Sequence, residues 1–154
     1  GAHLITRLHA LHEIFPKVDE VFDPPISTFQ ATKKETNVPN VNTIPGDDVF
    51  YLDMRVLPGI DLADVDAEIR KIADGVEKEF DVKVTTSSAQ KEEAAPATPA
   101  DAPVVKALAA AIKDVYKIDA KPMGIGGGTV AAFFRRRLLI RPWGVNPVKA
   151  LIFR

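Results

Sequence analysis

Apolar and polar side chains alternate along the segment from about residue 48 to residue 57. The apolar positions are Phe50, Leu52, Met54 and Val56, and the positions between them are Tyr51, Asp53 and Arg55. A period of two is that of a β-strand with one buried face, so Arg55 is expected on the opposite face. A second strand is predicted over about residues 26–34. This antiparallel pair has an outer face that is either merely solvated or able to hold an anionic small molecule or a second subunit.

The loop between these two strands is rich in side-chain amides. It holds Asn37, Asn40 and Asn42 and closes at Pro45-Gly46. Amide side chains both donate and accept hydrogen bonds, which makes this loop a candidate for ligand contact.

Spacings of three and four residues between apolar positions predict three helices. The first helix covers residues 1–15. The second covers residues 62–80 and has Asp61 as its N-cap, and the third begins at Pro103. Their apolar stripes are Leu4, Leu8, Leu11 and Phe15; Leu62, Val65, Ile69, Ile72, Val76 and Phe80; and Val105, Leu108, Ile112 and Val115. Because the first helix starts without a capping residue, we expect the chain to begin inside a larger parent.

The order of the elements predicts the fold class. A short strand is expected over residues 81–86, so the chain up to residue 90 has the order helix, strand, strand, helix, strand. One more strand before residue 1 would complete a ferredoxin-like α+β fold, an antiparallel sheet with two helices on one face. We therefore predict an α+β domain that is incomplete at its N-terminus.

Residues 91–102 differ from their surroundings in composition. This stretch is polar, rich in alanine and proline and without periodicity, which is typical of a linker. The predicted organisation is a first domain over residues 1–90, a linker over 91–102 and a second segment over 103–154. Within that last segment, residues 121–125 are a strand candidate, and a helix is expected from Thr129 onward.

Composition excludes several classes of function. The net charge is −1, so neither nucleic acid nor an anionic membrane is an expected partner. The chain has no cysteine, which rules out disulfides and is compatible with a reducing cytosol. No apolar run approaches the length of a membrane span. These features predict a soluble, cytoplasmic protein.

The glycine-rich sequence Gly124-Ile125-Gly126-Gly127-Gly128-Thr129 allows a ligand to approach the backbone closely. A dinucleotide site would need an acidic residue downstream, and none occurs after Asp119. A phosphate-binding loop would need a Gly-Lys-Ser/Thr sequence, which is absent. Two alternatives stay open, a carboxylate-binding loop and a plain strand-to-helix turn.

Candidate metal ligands are few. His9, His12 and Glu13 share one helix turn, but they do not form an HExxH pattern and no further ligand is evident, so a polar helix face is the better interpretation. Glu92-Glu93 falls in the linker and is interpreted as solvated charge. The sequence predicts no catalytic residue and no metal ligand in this chain.

Two segments resemble a known family. The sequence NVNTIPG, followed by a strand ending in DMR, and the later GIGGGT are similar to motifs of the zinc-dependent aminoacylase and deacetylase family. Its members include acetylornithine deacetylase and succinyl-diaminopimelate desuccinylase. The resemblance runs from about residue 1 to Arg137 and covers the family's lid, or dimerisation, domain and a piece of its catalytic domain.

The resemblance implies a function. The parent would be a zinc-dependent hydrolase of the amide bond in N-acyl amino acids or dipeptides, and the lid would pair two subunits into a homodimer. Asn42 would contact the substrate or its oxyanion, Arg55 the substrate carboxylate, and Gly127, Gly128 and Thr129 would line the substrate. The metal ligands and the general base would lie elsewhere in the parent, so this chain alone is expected to bind no zinc and to be inactive.

The chain departs from the family at two places. After Thr129 it continues Val130-Ala131-Ala132-Phe133 where the desuccinylase branch has Ser-Asp-Gly-Arg, which leaves the substrate of the parent open. The arginine-rich residues 135–154 contain no histidine, and we interpret them as a truncated or altered C-terminus. The alternative function is a non-catalytic α+β module for ligand binding or protein interaction, similar to small amino-acid-binding domains.

Overall fold

The computed structural model describes residues 1–35, 38–92, 94, 98–124, 126 and 148–153. Its helices are α1 (Ala2–Leu8), α2 (Leu11–Ile14), α3 (Leu62–Phe80) and α4 (Pro103–Tyr116), and its strands are β1 (Thr28–Lys34), β2 (Phe50–Arg55), β3 (Thr86–Gln90) and β4 (Val148–Phe153). The strands form one antiparallel sheet in the order β1-β2-β4-β3. The α+β, ferredoxin-like class predicted from the sequence is confirmed.

The predicted pattern of strand β2 is the basis of the core. Phe50, Leu52 and Met54 are buried, while Tyr51, Asp53 and Arg55 are at least partly exposed. The buried face packs in one cluster with apolar residues of all three N-terminal helices: Leu4, Leu8, Leu11, Leu62, Val65, Ile69, Ala73 and Val76. The period of two and the helical stripes therefore identify the same core from its two sides.

Helix α3 follows the prediction closely at its start. Asp61 Oδ1 accepts a hydrogen bond from the Ala63 amide at 2.8 Å, which satisfies a donor of the first turn. The far end differs from the prediction, because Ala73 is buried and Phe80 is not. Phe80 instead stacks on His3, with 4.5 Å between the ring centroids.

The helix predicted over residues 1–15 is divided in two. The amide of His9 bonds to the Thr6 carbonyl at 3.3 Å and that of Ala10 to the Arg7 carbonyl at 3.1 Å, which are the three-residue steps of a 3₁₀ turn. The tighter turn separates α1 from α2. It leaves Leu8 and Leu11 on the same buried side.

The strand predicted over residues 81–86 is wrong in position, since β3 covers Thr86–Gln90. The backbone of Val84 is satisfied by side chains of α3. Its amide donates to the Glu77 carboxylate at 2.6 Å and its carbonyl accepts from Arg70 at 2.8 Å. Both backbone groups of Val84 are therefore bonded to α3, and residues 82–85 are not part of the sheet.

The fourth strand comes from an unexpected part of the chain. The sequence predicts a missing strand before residue 1, whereas residues 148–153 provide β4 between β2 and β3. No strand is assigned to residues 121–124, and Gly124 instead forms an isolated bridge with Phe22. The helix predicted from Thr129 onward lies outside the described residues.

Candidate functional site

The candidate site lies on the sheet face opposite the core. Arg55, the last residue of β2, points to this face and its side chain is 47% exposed. Its Nε lies 3.3 Å from Asp53 Oδ2, and its Nη1 donates to the Gly126 carbonyl at 3.2 Å. Within the described part of the chain, these contacts leave Nη2 for a ligand. Because the guanidinium is already held at two points, Nη2 can donate to a carboxylate at little cost in side-chain entropy.

A cavity of about 360 Å³ surrounds this guanidinium. Its floor comes from the two strands and its walls from the segment before β1 and from Gly126. The lining residues are Phe22, Asp23, Pro24, Ile26, Thr28, Gln30, Asp53, Arg55, Leu57 and Gly126. One cation, two carboxylates, an amide and a hydroxyl beside an aromatic ring suit a small polar ligand that carries both charge and apolar surface.

The structure brings together two of the segments that the sequence singles out. Arg55 and Gly126 are 71 residues apart and directly bonded, so the strand cation and the glycine loop meet. Gly127, Gly128 and Thr129 lie outside the described residues. Asn42 lies in the exposed loop and is not among the residues that line the cavity. The predicted substrate contacts of these four residues stay predictions.

Packing explains why the first residue of the glycine-rich loop, Gly124, is a glycine. A Cβ on Gly124 would lie 2.5 Å from the Phe22 ring, so this position does not accept a side chain without a shift. The Gly124 amide also donates to the Val21 carbonyl at 2.6 Å. This close approach holds the glycine loop against the segment that walls the cavity.

Sequence reasoning missed several lining residues. Thr28 and Gln30 alternate with Phe29 along β1, so a period of two would have placed them on the Arg55 face. Phe22 and Asp23 lie in an irregular segment, for which periodicity gives no signal. Their place in the cavity follows from tertiary contacts.

A buried hydrogen bond holds the strand pair next to the site. Ser27 is buried, and its Oγ accepts a hydrogen bond from the Leu57 amide at 3.0 Å. This bond joins the residue before β1 to the second residue after β2. It therefore fixes the end of the strand pair that carries the cavity.

His9 and His12 make ring contacts with their neighbours. The ring of His12 meets Phe29 edge-on at 5.4 Å between centroids, and it is tilted against His9 at 6.3 Å. In the described ranges, no three His, Cys, Asp or Glu side chains are grouped so that they could hold a metal ion. Of the acidic pair in the linker, Glu93 lies outside the described residues.

Another charged cluster lies at the opposite end of β2, beside a cavity of about 630 Å³. Burial opposes ionisation of Asp48, but the ammonium groups of Lys34 at 3.0 Å and of Gly1 at 3.2 Å outweigh it and lower the pKa of this carboxyl. The cluster ties the start of α1 to the start of β2. Both of its cations are paired with Asp48, as Arg55 is paired with Asp53 at the other end of the strand.

Comparison with known proteins identifies the family. Residues 1–81 match the model of the peptidase dimerisation domain, which is more than half of the chain. The chain therefore belongs to this family. The match includes the strand pair and α3, and it ends before β3.

Two curated relatives are similar over nearly the whole chain. An uncharacterized metallohydrolase of Methanocaldococcus jannaschii is 36% identical over 147 residues, which cover 90% of this chain and 36% of that protein. An uncharacterized metallohydrolase of Methanococcus maripaludis is 35% identical over 159 residues, which cover 95% of this chain and 38% of that protein. The chain thus spans little more than a third of the length of the relatives it matches.

No solved structure matches the chain. None of the helices in the described ranges has the length and apolar character needed to cross a membrane.

Proposed function

We propose that this chain is the lid of a zinc-dependent amidohydrolase, together with a piece of its catalytic domain, and that the parent cleaves N-acyl amino acids or dipeptides. The observation that carries this proposal is the bond between Arg55 and Gly126, which joins the lid sheet to the glycine loop. The family match and the two metallohydrolase relatives support the hydrolytic class. The lid would extend over residues 1–90, the linker over 91–102 and the catalytic piece over 103–154.

The proposed role of Arg55 is to hold the carboxylate of the substrate. Arg55 lines the cavity, and a charge-assisted hydrogen bond from its guanidinium to a carboxylate depends on geometry as well as charge. Asn42 would contact the substrate or its oxyanion, and Gly127, Gly128 and Thr129 would line it. None of these side chains is proposed as a general base or as a metal ligand.

The metal belongs to another part of the parent in this proposal. The described residues do not fit a metal site, because they group no three suitable ligands. Bound zinc would supply an activated water for hydrolysis when the parent is complete. The contribution of this chain is to bind and orient the substrate, and a cytoplasmic location of the parent accords with the absence of cysteine.

We also propose that the lid forms a homodimer through β1. Among the described strands, β1 is at one edge of the sheet, and the outward backbone groups of an edge strand can pair with another strand. The segment that precedes β1 has four exposed apolar residues, which we call the β1 flank: Ile14, Val18, Val21 and Ile26. The other edge strand, β3, has the polar sequence TSSAQ. A two-fold contact uses one self-complementary patch, and β1 with its flank provides both hydrogen bonds and apolar area.

Replacing Arg55 with alanine in the full-length parent should raise KM for substrates with a free carboxylate. A hydrogen bond to a charged group contributes about 1.5–3 kcal/mol, which corresponds to a rise of roughly 10- to 150-fold with little change in kcat. Steady-state kinetics on an N-acyl amino acid and on its carboxamide analogue would measure this. Because the carboxamide lacks the charge, its KM should change much less.

The matched control is Arg7→Ala, which removes an exposed arginine that pairs with Glu79 on the helical side. It should leave KM for both substrates unchanged. An equal effect of Arg55→Ala on the acid and the carboxamide would contradict the carboxylate role.

The alternative is a non-catalytic α+β ligand-binding module. The observation that favours it is the Arg55 cavity itself, whose described lining residues combine a cation with other polar groups and an apolar surface. Calorimetric titration of the isolated chain with amino acids would distinguish the two. Binding that is tight and independent of the parent would support the module, whereas activity of the zinc-loaded parent supports the hydrolase.

A further inference from the structure

The described lining of the Arg55 cavity has an excess of negative charge. Three of these lining residues are charged: Asp23, Asp53 and Arg55. Asp53 Oδ2 already lies 3.3 Å from Arg55 Nε, so these two charges compensate each other. The remaining negative charge is that of Asp23, an exposed residue on the wall of the cavity.

The Asp23 carboxylate is available for a ligand. Among the residues that the structure describes, none forms a hydrogen bond or an ion pair with this side chain. The neighbouring acid Asp19 differs, because its Oδ1 accepts a hydrogen bond from the Val21 amide at 3.1 Å. Asp19 therefore stabilises the loop, whereas Asp23 presents its charge to the cavity.

The loop that carries Asp23 is fixed by backbone contacts. Its two ends are held together where Val18 and Ile26 form an antiparallel bridge. Between these ends, the Val21 carbonyl accepts a hydrogen bond from the Gly124 amide at 2.6 Å. A ligand that binds Asp23 thus has little backbone entropy to remove, which favours affinity.

A ligand with only a carboxylate does not match this distribution of charge. Bound to Arg55, it would add a second anion to a guanidinium that already pairs with Asp53, and it would share the cavity with Asp23. Like charges in one site repel each other. A zwitterion adds no net charge, and its ammonium group can pair with the carboxylate that has no partner among the described residues.

The rest of the described lining suits a small molecule with a short apolar part. Phe22, Ile26 and Leu57 provide apolar surface. The volume of about 360 Å³ is near the lower end of the range of about 300–1,000 Å³ that small-molecule sites have. The ligand is therefore small enough for both of its charged ends to contact the cavity wall.

We propose that Asp23 is a specificity-determining residue, and that the cavity binds a small zwitterion with its carboxylate at Arg55 and its ammonium group at Asp23. This inference rests on the carboxylate-binding role proposed for Arg55. It narrows the substrate to molecules that carry a free ammonium group in addition to the carboxylate.

The test uses the 154-residue chain and two matched series of probes. The zwitterions are straight-chain ω-amino carboxylates from glycine to 6-aminohexanoate. Each is compared with the simple carboxylate of the same length, from acetate to hexanoate. Binding is measured by NMR titration of the amide chemical shifts. The zwitterion whose length spans the two charges should bind saturably and about tenfold more tightly than its carboxylate, or better.

The variants Asp23→Asn and Glu20→Gln remove the same charge from the same loop, but Glu20 is not among the described lining residues of the cavity. Asp23→Asn should abolish the preference for zwitterions, because its amide has no charge to pair with an ammonium group. Glu20→Gln should keep the preference. Absence of binding, equal binding of the two series to the unchanged chain, or an equal loss of preference in both variants would overturn the proposal.

This experiment is separate from the test of the hydrolase, because it needs neither a metal nor turnover. If the chain prefers zwitterions but the zinc-loaded parent hydrolyses no amide, the inference stands and the proposed function fails. If Arg55→Ala raises KM in the parent as expected but the chain shows no preference for zwitterions, the proposed function stands and the inference fails.

Discussion

Replacing Ile69 with alanine should lower the free energy of unfolding by about 2–4 kcal/mol, which is the usual cost of removing a large aliphatic side chain from a core. Ile69 is 2% exposed and belongs to the cluster formed by the buried face of β2 and the helices above it. The loss combines less buried apolar surface with a cavity that the surrounding side chains fill only in part. Urea denaturation monitored by circular dichroism would measure this change in the free energy of unfolding.

The control for Ile69 is Val115→Ala on α4, where the side chain is 69% exposed. A surface truncation of this kind should change the free energy of unfolding by less than about 0.5 kcal/mol. If Ile69→Ala has as small an effect as Val115→Ala, helix α3 does not cover the sheet.

Replacing Ser27 with alanine should cost about 1–3 kcal/mol, because a buried donor then loses its partner. Ser27 is 2% exposed, and its hydroxyl accepts a hydrogen bond from the Leu57 amide at 3.0 Å. The effect should appear both as a lower urea midpoint and as faster hydrogen exchange of that amide.

Ser88→Ala is the matched control for Ser27, since Ser88 is exposed on β3. Its stability should be within about 0.5 kcal/mol of the original chain. Unchanged exchange at Leu57 in the Ser27→Ala variant would show that the hydroxyl does not anchor the strand pair.

Local patterns predicted the elements whose own sequence decides their structure. The alternation around Leu52 and the stripe on α3 both reflect which face is buried, and each is complete within one segment. The Asp61 cap is equally local. These features needed no knowledge of what packs against them, and the structure confirms them.

Non-local pairing explains what the sequence did not reveal. Strand β4 pairs with β2 although it lies about a hundred residues further along the chain, and a short, mostly apolar run by itself does not distinguish a strand from a buried helix. The position of β3 depended on Glu77 and Arg70, whose side chains satisfy the backbone of Val84. Such competition between side-chain and sheet bonds is invisible in periodicity.

The candidate site divides in the same way. A period of two placed Arg55 on the outer face of β2, but its contact with Gly126 required the fold. The period of two places Ser27 on the same side as the buried Phe29, but its hydrogen bond with the Leu57 amide required the fold. The roles of Gly127, Gly128 and Thr129 stay predictions from the family resemblance.

Dimer formation through β1 is the central claim about this chain, and sedimentation equilibrium measures it most directly. At chain concentrations from micromolar to hundreds of micromolar, we expect a two-state monomer–dimer equilibrium. The limiting mass at high concentration should be twice that of the chain. Val18→Glu, which puts a charge into the β1 flank, should shift the equilibrium to monomer, while Val115→Glu on α4 should not. A strict monomer over that range, or equal behaviour of the two variants, would contradict dimerisation through β1.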